Sequence, residues 1–199
     1  MIRCKDKEII RISQLVVILL LVLFVSCKNW RISKEVRRIY GTQIEVPYCL
    51  SAKIHGLDTL IITRGDEYAT LIIWYDSTQC SSCSLNYIEK WNRLFEYSVD
   101  SVRGLKPMII FSPKEKDLYR FESYLRMTNF NYPIYIDYDY SFLTRNPQLL
   151  ASSRHNIFLL DKNHEIVLVG DPFYNQQMWN LYKQIIDSLV INRGFINNK

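Results

Sequence analysis

The feature that most restricts this chain is a pair of cysteines two residues apart, Cys80-Ser81-Ser82-Cys83, set between two stretches of different periodicity. Before it, Leu71, Ile72, Ile73, Trp74 and Tyr75 form an unbroken apolar run rich in β-branched and aromatic side chains. Such a run suits a strand covered on both faces. After it, Leu85, Ile88, Trp91, Phe95 and Val99 recur every three or four residues, the spacing of an amphipathic helix laid on that sheet. Cys80 is therefore expected at or just before the first helical turn. There the unpaired N–H groups and the positive end of the helix dipole favour an anion, which draws a thiol pKa from about 8.5 toward neutrality. Two intervening residues put the second sulfur one helical turn away, in reach to close a disulfide or to attack a mixed one. Spacing alone leaves three uses open: a redox pair, half of a zinc site, or inert buried thiols. The strand before and the helix after favour the first, with Cys80 attacking and Cys83 resolving.

At 199 residues the chain has room for one domain and a leader. Residues 1–14 are basic on balance, 15–25 are apolar without a break, and Phe24-Val25-Ser26-Cys27 closes the segment. About eleven apolar residues fall short of the roughly 20 that span a bilayer, which reads as an export signal rather than a permanent transmembrane helix. The end of the segment resembles a bacterial lipobox, in which a small residue, here Ser26, precedes a cysteine that is lipidated and becomes the new N-terminus. Phe24 stands where that pattern usually has leucine. The resemblance makes Cys27 the lipid-bearing residue and excludes it from any disulfide. The expected organisation is a lipoprotein-type signal peptide at 1–26, an anchor and tether at 27–42, and one folded domain at 43–199. The mature domain is then held on a membrane, facing the periplasm or the cell exterior, where disulfides persist. Cys4 falls in the leader, which leaves Cys49 as an odd thiol, expected to be a small buried apolar residue or, alternatively, a transient partner for another protein.

Two strands, 43–49 and 59–63, are expected as a hairpin ahead of the central strand. Past the first helix, 107–111 reads as a second buried strand. Ser112-Pro113 then opens a second helix marked by Leu118, Phe121 and Leu125, as a cap followed by proline in the first turn. A third strand at 133–137 and an irregular stretch around Asn146-Pro147 follow. Strands at 156–160 and 165–169 flank the turn Asp161-Lys162-Asn163-His164, and Met178, Leu181, Ile185 and Leu189 mark a closing amphipathic helix.

This order resembles the thioredoxin-like superfamily over about residues 68–191. More narrowly, Cys80-Ser-Ser-Cys83 with Ile157-Phe-Leu-Leu-Asp161 is similar to exported, membrane-anchored thioredoxin-like proteins that reduce disulfides. The resemblance implies an α/β fold with a central mixed sheet flanked by helices, here with an N-terminal hairpin extension. It implies protein disulfides as substrates, a separate electron donor and no bound cofactor or metal. Relatives carry a cis-proline facing the dithiol two residues before the Ile157 strand; here that position is His155. His155 is a candidate modulator, its cation stabilising the Cys80 thiolate, or else a histidine hydrogen-bonded at a strand end. With Cys80 and Cys83 it also offers soft sulfur and imidazole to zinc or copper(I). Relatives often place an aromatic residue before the first cysteine, where this chain has Gln79. Asp76 is a second candidate modulator, relaying protons to Cys83 or capping the helix.

Other functions find little support. The formal charge of +5 is partly Arg3, Lys5, Lys7 and Arg11 of the leader, and no basic run interleaved with aromatics suggests nucleic acid. Peroxide-reducing relatives resemble Pro-x-x-x-Thr-x-x-Cys, whereas Ile73 and Ser77 hold those places. There is no Gly-rich phosphate loop, His-Glu-x-x-His or nucleophile elbow. The rival to an oxidoreductase is a non-catalytic anchored scaffold that keeps the cysteines as a structural bridge.

Overall fold

A computed structural model describes residues 34–60, 67–98, 104–152 and 156–196, without the side chains of 150–152. Residues Ile39–Lys199 form one compact unit, and residues up to Arg38 another, of which 34–38 are helical. Among the described residues no helix is long and apolar enough to cross a membrane. The apolar run at 15–25 and the proposed lipidation site Cys27 lie outside the described residues.

The compact unit is built on a seven-stranded mixed sheet in the order β2-β1-β5-β4-β3-β6-β7. In chain order these are Ser51–Ile54, Leu57–Asp58, Ala69–Tyr75, Leu105–Phe111, Ile134–Ile136, Ile157–Leu160 and Ile166–Val169. β3, β4 and β5 run parallel, and β6 lies antiparallel against β3 and forms a hairpin with β7. The apolar run on β3 is central as expected: Leu71, Ile72 and Ile73 are fully buried. Burying each such side chain contributes ~1.5–3 kcal/mol. One face of the sheet, with Leu71, Ile73, Ile109, Phe111 and Leu159, packs on helices through Ile88, Trp91, Phe121 and Trp179. The other face carries Ile72, Trp74 and Ile110, and Phe142 lies against Trp74 with ring centroids 5.3 Å apart.

The N-terminal hairpin is present, but not where the sequence places it. Residues 43–49 make only an isolated bridge from Gln43 to Glu165, and Pro47 has no N–H to give a ladder. The hairpin is β1 and β2, turning at His55-Gly56 with φ 50° and 75°, so Asp58 belongs to a strand and not to the loop. Two consecutive positive φ values are what a two-residue turn needs to match strand twist, and Gly56 meets that need without a Cβ. β1 pairs antiparallel with β5 and extends the sheet. Of the expected second strand, Thr59 and Leu60 are irregular and 61–63 lie outside the described residues.

Three helical expectations also change. The residues after the dithiol form no continuous helix: Ser81–Leu85 is α-helical, Ile88–Trp91 is a 3₁₀ turn and Asn92–Glu96 is α-helical again. Leu85, Ile88 and Trp91 are spaced by threes, which matches a 3₁₀ repeat rather than 3.6. Val99 lies outside the described residues. Ser112 caps nothing; it is buried between strands, and the helix Leu118–Met127 starts later, behind a 3₁₀ turn at Glu115–Asp117. The closing helix, Gln176–Ile191, buries Trp179, Tyr182, Ile186 and Leu189, whereas Leu181 is 40% exposed. Its stripe is rotated because Tyr182 brings its own hydrogen bond into the core, from its hydroxyl to the Gly170 carbonyl at 2.5 Å.

Candidate functional site

β3 delivers the chain to the C-terminal end of the sheet, and the loop 76–79 turns it into the dithiol helix. Asp76, 8% exposed, shapes that loop: its Oδ1 accepts the Thr78 N–H at 2.7 Å, the Thr78 hydroxyl at 2.5 Å and the Gln79 N–H at 3.2 Å. Such a side-chain turn fixes where the next residue starts the helix. Cys80 is the residue that caps it, extended at φ −74°, ψ 94°. Its Sγ accepts the Cys83 N–H at 3.2 Å, and its carbonyl accepts the Ser84 N–H at 3.0 Å.

Cys80 and Cys83 are joined by a disulfide with their Cα atoms 5.2 Å apart. Residues three apart on a helix share a face, and here that face is the outer one. Both cysteines are exposed, while Ser81 and Ser82 between them turn inward at 6% and 8% exposure. Because the dithiol helix has only five residues, the macrodipole expected from a long helix is largely missing. What remains beside Cys80 is the local Cys83 N–H.

The other candidates separate. Asp76 holds the turn through Oδ1 alone. His155 lies outside the described residues. Among the described residues no group of three or more His, Cys, Asp or Glu is placed to hold a metal ion. Cys49 corrects the reading of a buried thiol. It is exposed, with its Sγ 3.8 Å from the Ser141 hydroxyl, because the segment before β1 leaves the sheet surface at a turn there.

Several supporting residues carry no sequence signature. Trp74 N–H donates to the Asn156 carbonyl at 2.8 Å, and the Asn156 amide returns a bond to the Trp74 carbonyl at 2.7 Å, which ties the end of β3 to the start of β6. Trp74 Nε1 donates to Ser112 Oγ, and Ser112 donates to the fully buried Asp137, each at 3.2 Å. Asp137 also accepts the Ser141 and Phe142 N–H groups and the Ser141 hydroxyl at 2.8–3.0 Å. This network fastens the ends of three parallel strands together under the dithiol loop. Only the alternation of apolar and polar residues at strand ends hinted at it.

On the helix side of the same strand end, a cleft of about 210 Å³ is lined by Tyr75, Lys90, Trp91, Asn156, Gly170 and Asp171. Trp91 donates to the Tyr75 hydroxyl at 3.1 Å, and Lys90 pairs with Asp171 at 3.3 Å. Burial raises the Tyr75 phenol above its ordinary range, with the charge of Asp171 adding to it, so this hydroxyl stays protonated at neutral pH.

No protein-family model and no curated protein sequence matches the chain. Solved structures do. A thioredoxin-like protein in its oxidised form is 12% identical with a TM-score of 0.45, over 77% of this chain and 97% of that one. The thioredoxin domain of a thiol-disulfide oxidoreductase from Bacteroides vulgatus is 14% identical, TM-score 0.44, over 74% and 97%. The bacterioferritin comigratory protein of Xanthomonas campestris, described for alkyl peroxide reduction, is 14% identical, TM-score 0.41, over 77% and 98%. The order of elements carries the assignment: strand, Cys-x-x-Cys, helix and parallel strand, then an antiparallel hairpin on the other side of the first strand and a closing helix. The chain has a thioredoxin-like fold, with β1 and β2 added at the edge of a mixed sheet.

Proposed function

We propose that this protein is an exported, lipid-anchored thiol-disulfide oxidoreductase whose working pair is Cys80 and Cys83. The observation that carries the reading is the exposed Cys80–Cys83 disulfide at the junction of the central strand and a helix. In the reduced protein, the Cys80 thiolate attacks one sulfur of a client disulfide, and the client's other sulfur leaves as a thiolate and takes a proton. The Cys83 thiolate then attacks Cys80 Sγ, which releases the second client thiol and closes Cys80–Cys83. Two electrons pass to the client. A dithiol donor must then reduce the protein for another turn, and the exposure of both sulfurs gives that donor access. No bound cofactor enters these steps.

The rest of the reading rests on residues 1–27. Their basic start, apolar run and Ser26-Cys27 end support a signal peptide at 1–26, a lipid on Cys27 and a tether to residue 42. The domain then works at a membrane surface, facing the periplasm or the cell exterior.

Cys83→Ala tests the chemistry, because a thiolate without its resolving partner accumulates as a mixed disulfide with an oxidised reporter protein. Wild type releases the reporter reduced, and an absent adduct together with an unreduced reporter contradicts the reading. Cys27→Ser tests the anchor and is expected to move the chain from the membrane fraction to the soluble one. A second reading, an anchored scaffold with a structural bridge, is favoured by His155 standing where relatives have proline. It predicts a strongly reducing potential and no turnover of any protein disulfide.

A further inference from the structure

A disulfide opens at the sulfur an incoming thiolate can reach, and it opens faster when the sulfur left behind is the better leaving group. Were Cys83 buried behind Cys80, an electron donor would have to enter at Cys80. It is not buried. The dithiol helix turns Ser81, Ser82 and Leu85 inward, at 6%, 8% and 2% exposure, so that Cys80 and Cys83 both fall on its outer side. Past Cys83 the chain stays at the surface through Asn86 and Tyr87, both exposed. An incoming thiol therefore has two sulfurs to choose from.

The two are not equivalent. Cys80 Sγ, on the capping residue, accepts the Cys83 N–H at 3.2 Å. This donor belongs to the backbone, so no change of side-chain rotamer withdraws it. Among the described residues Cys83 Sγ receives no hydrogen bond. A hydrogen bond to the anion lowers a thiol's pKa, and the thiol of lower pKa leaves faster. Cys80 is the better leaving group, and the attack that expels it falls on Cys83.

We propose that the pair divides the cycle between its sulfurs: clients meet Cys80, and the electron donor enters at Cys83. This rests on the oxidoreductase reading above. In the reductive half, a donor thiolate attacks Cys83 Sγ, the Cys80–Cys83 bond breaks, and Cys80 leaves as the thiolate that the Cys83 N–H holds. The donor's second thiolate then attacks the donor sulfur of the mixed disulfide. The donor closes its own disulfide, and Cys83 is released as a thiolate that takes a proton. Two electrons have entered the protein and one donor dithiol has been oxidised. Cys80 leaves this half as the free thiolate that attacks the next client, and it has never carried the donor.

The test uses the oxidised, folded full chain with 2-mercaptoethanol as a monothiol probe. Brief exposures are quenched with acid, free thiols are alkylated, and the adduct is located by fragmenting the peptide that carries both cysteines. The adduct is expected on Cys83, with Cys80 alkylated, about fivefold or more over the reverse. In urea the hydrogen bond is lost, and the preference is expected to fall to about even. A second measurement reads access alone. In Cys80→Ser, iodoacetamide is expected to alkylate Cys83, followed by mass, within about tenfold of its rate in the urea-unfolded chain. A slower rate than that, or a preference that urea leaves unchanged, overturns the proposal. An adduct mainly on Cys80 also overturns it and leaves the oxidoreductase reading standing, whereas no adduct on either cysteine of the folded chain overturns both.

Discussion

The two ends of β3 treat their polar groups in opposite ways. At the C-terminal end, Asp76, Ser112, Asp137 and Asn156 are each matched by hydrogen bonds, and the groups left to solvent are two sulfurs. At the N-terminal end, Thr70 is buried with a hydroxyl that no described residue matches. A fully matched network rigidifies what it surrounds, so the first end is a fixed mount for reactive atoms. A buried hydroxyl without a protein partner adds little to stability, so the second end is less firmly fastened than the first.

The contrast is sharpest in the sulfurs themselves. Cys80→Ser removes the attacking atom, and disulfide exchange with a reporter protein is expected to disappear altogether, while the urea midpoint moves far less than it does for changes in the network beneath. Next in size is Asp137→Ala, which strands two backbone N–H groups and two hydroxyls in the interior. It is expected to cost about 3 kcal/mol in urea unfolding. Asn156→Ala breaks one side-chain bond to the Trp74 carbonyl and is expected to cost about 1–2 kcal/mol. If either proves neutral, the matched end is not the fastening described.

The smallest change is expected at Tyr135, two strands away on β5. Tyr135→Phe deletes a buried hydroxyl that has no partner among the described residues, so it should be neutral or stabilising by up to about 1 kcal/mol near pH 7. Its signature is in pH. A phenol raised from 10 to about 12 on folding contributes stability fully below pH 10 and loses it as pH rises through the folded value. Wild type is therefore expected to lose stability more steeply than Tyr135→Phe between pH 10 and about 12, as read from urea midpoints across that range.

How far the sequence could be read follows the same division. The apolar run 71–75, the strand at Ile157–Leu160 and the turn at Asp161 were legible, because burial on both faces and turn chemistry leave direct marks in residue type. So was the placement of Cys80 at the helix cap. The broken helix after it was not, since Leu85, Ile88, Trp91 and Phe95 fit spacings of three and four alike, and packing chose the 3₁₀ turn. Ser112-Pro113 carries the signature of a helix start, yet Ser112 serves Trp74 and Asp137, partners 38 and 25 residues away. Contacts of that range leave no local pattern. A hairpin with Gly56 in its loop was expected but its strands were put at 43–49 and 59–63, because the turn geometry at His55-Gly56 sets the register.

One equilibrium tests the central claim most directly. The full chain is brought to balance with mixtures of reduced and oxidised glutathione, then quenched with an alkylating reagent, and Cys80 and Cys83 are read by mass. An exposed, working dithiol predicts that both cysteines change state together, reversibly and over a single two-electron transition, while the fold persists. A Cys80–Cys83 bond that opens only when the protein unfolds would contradict it.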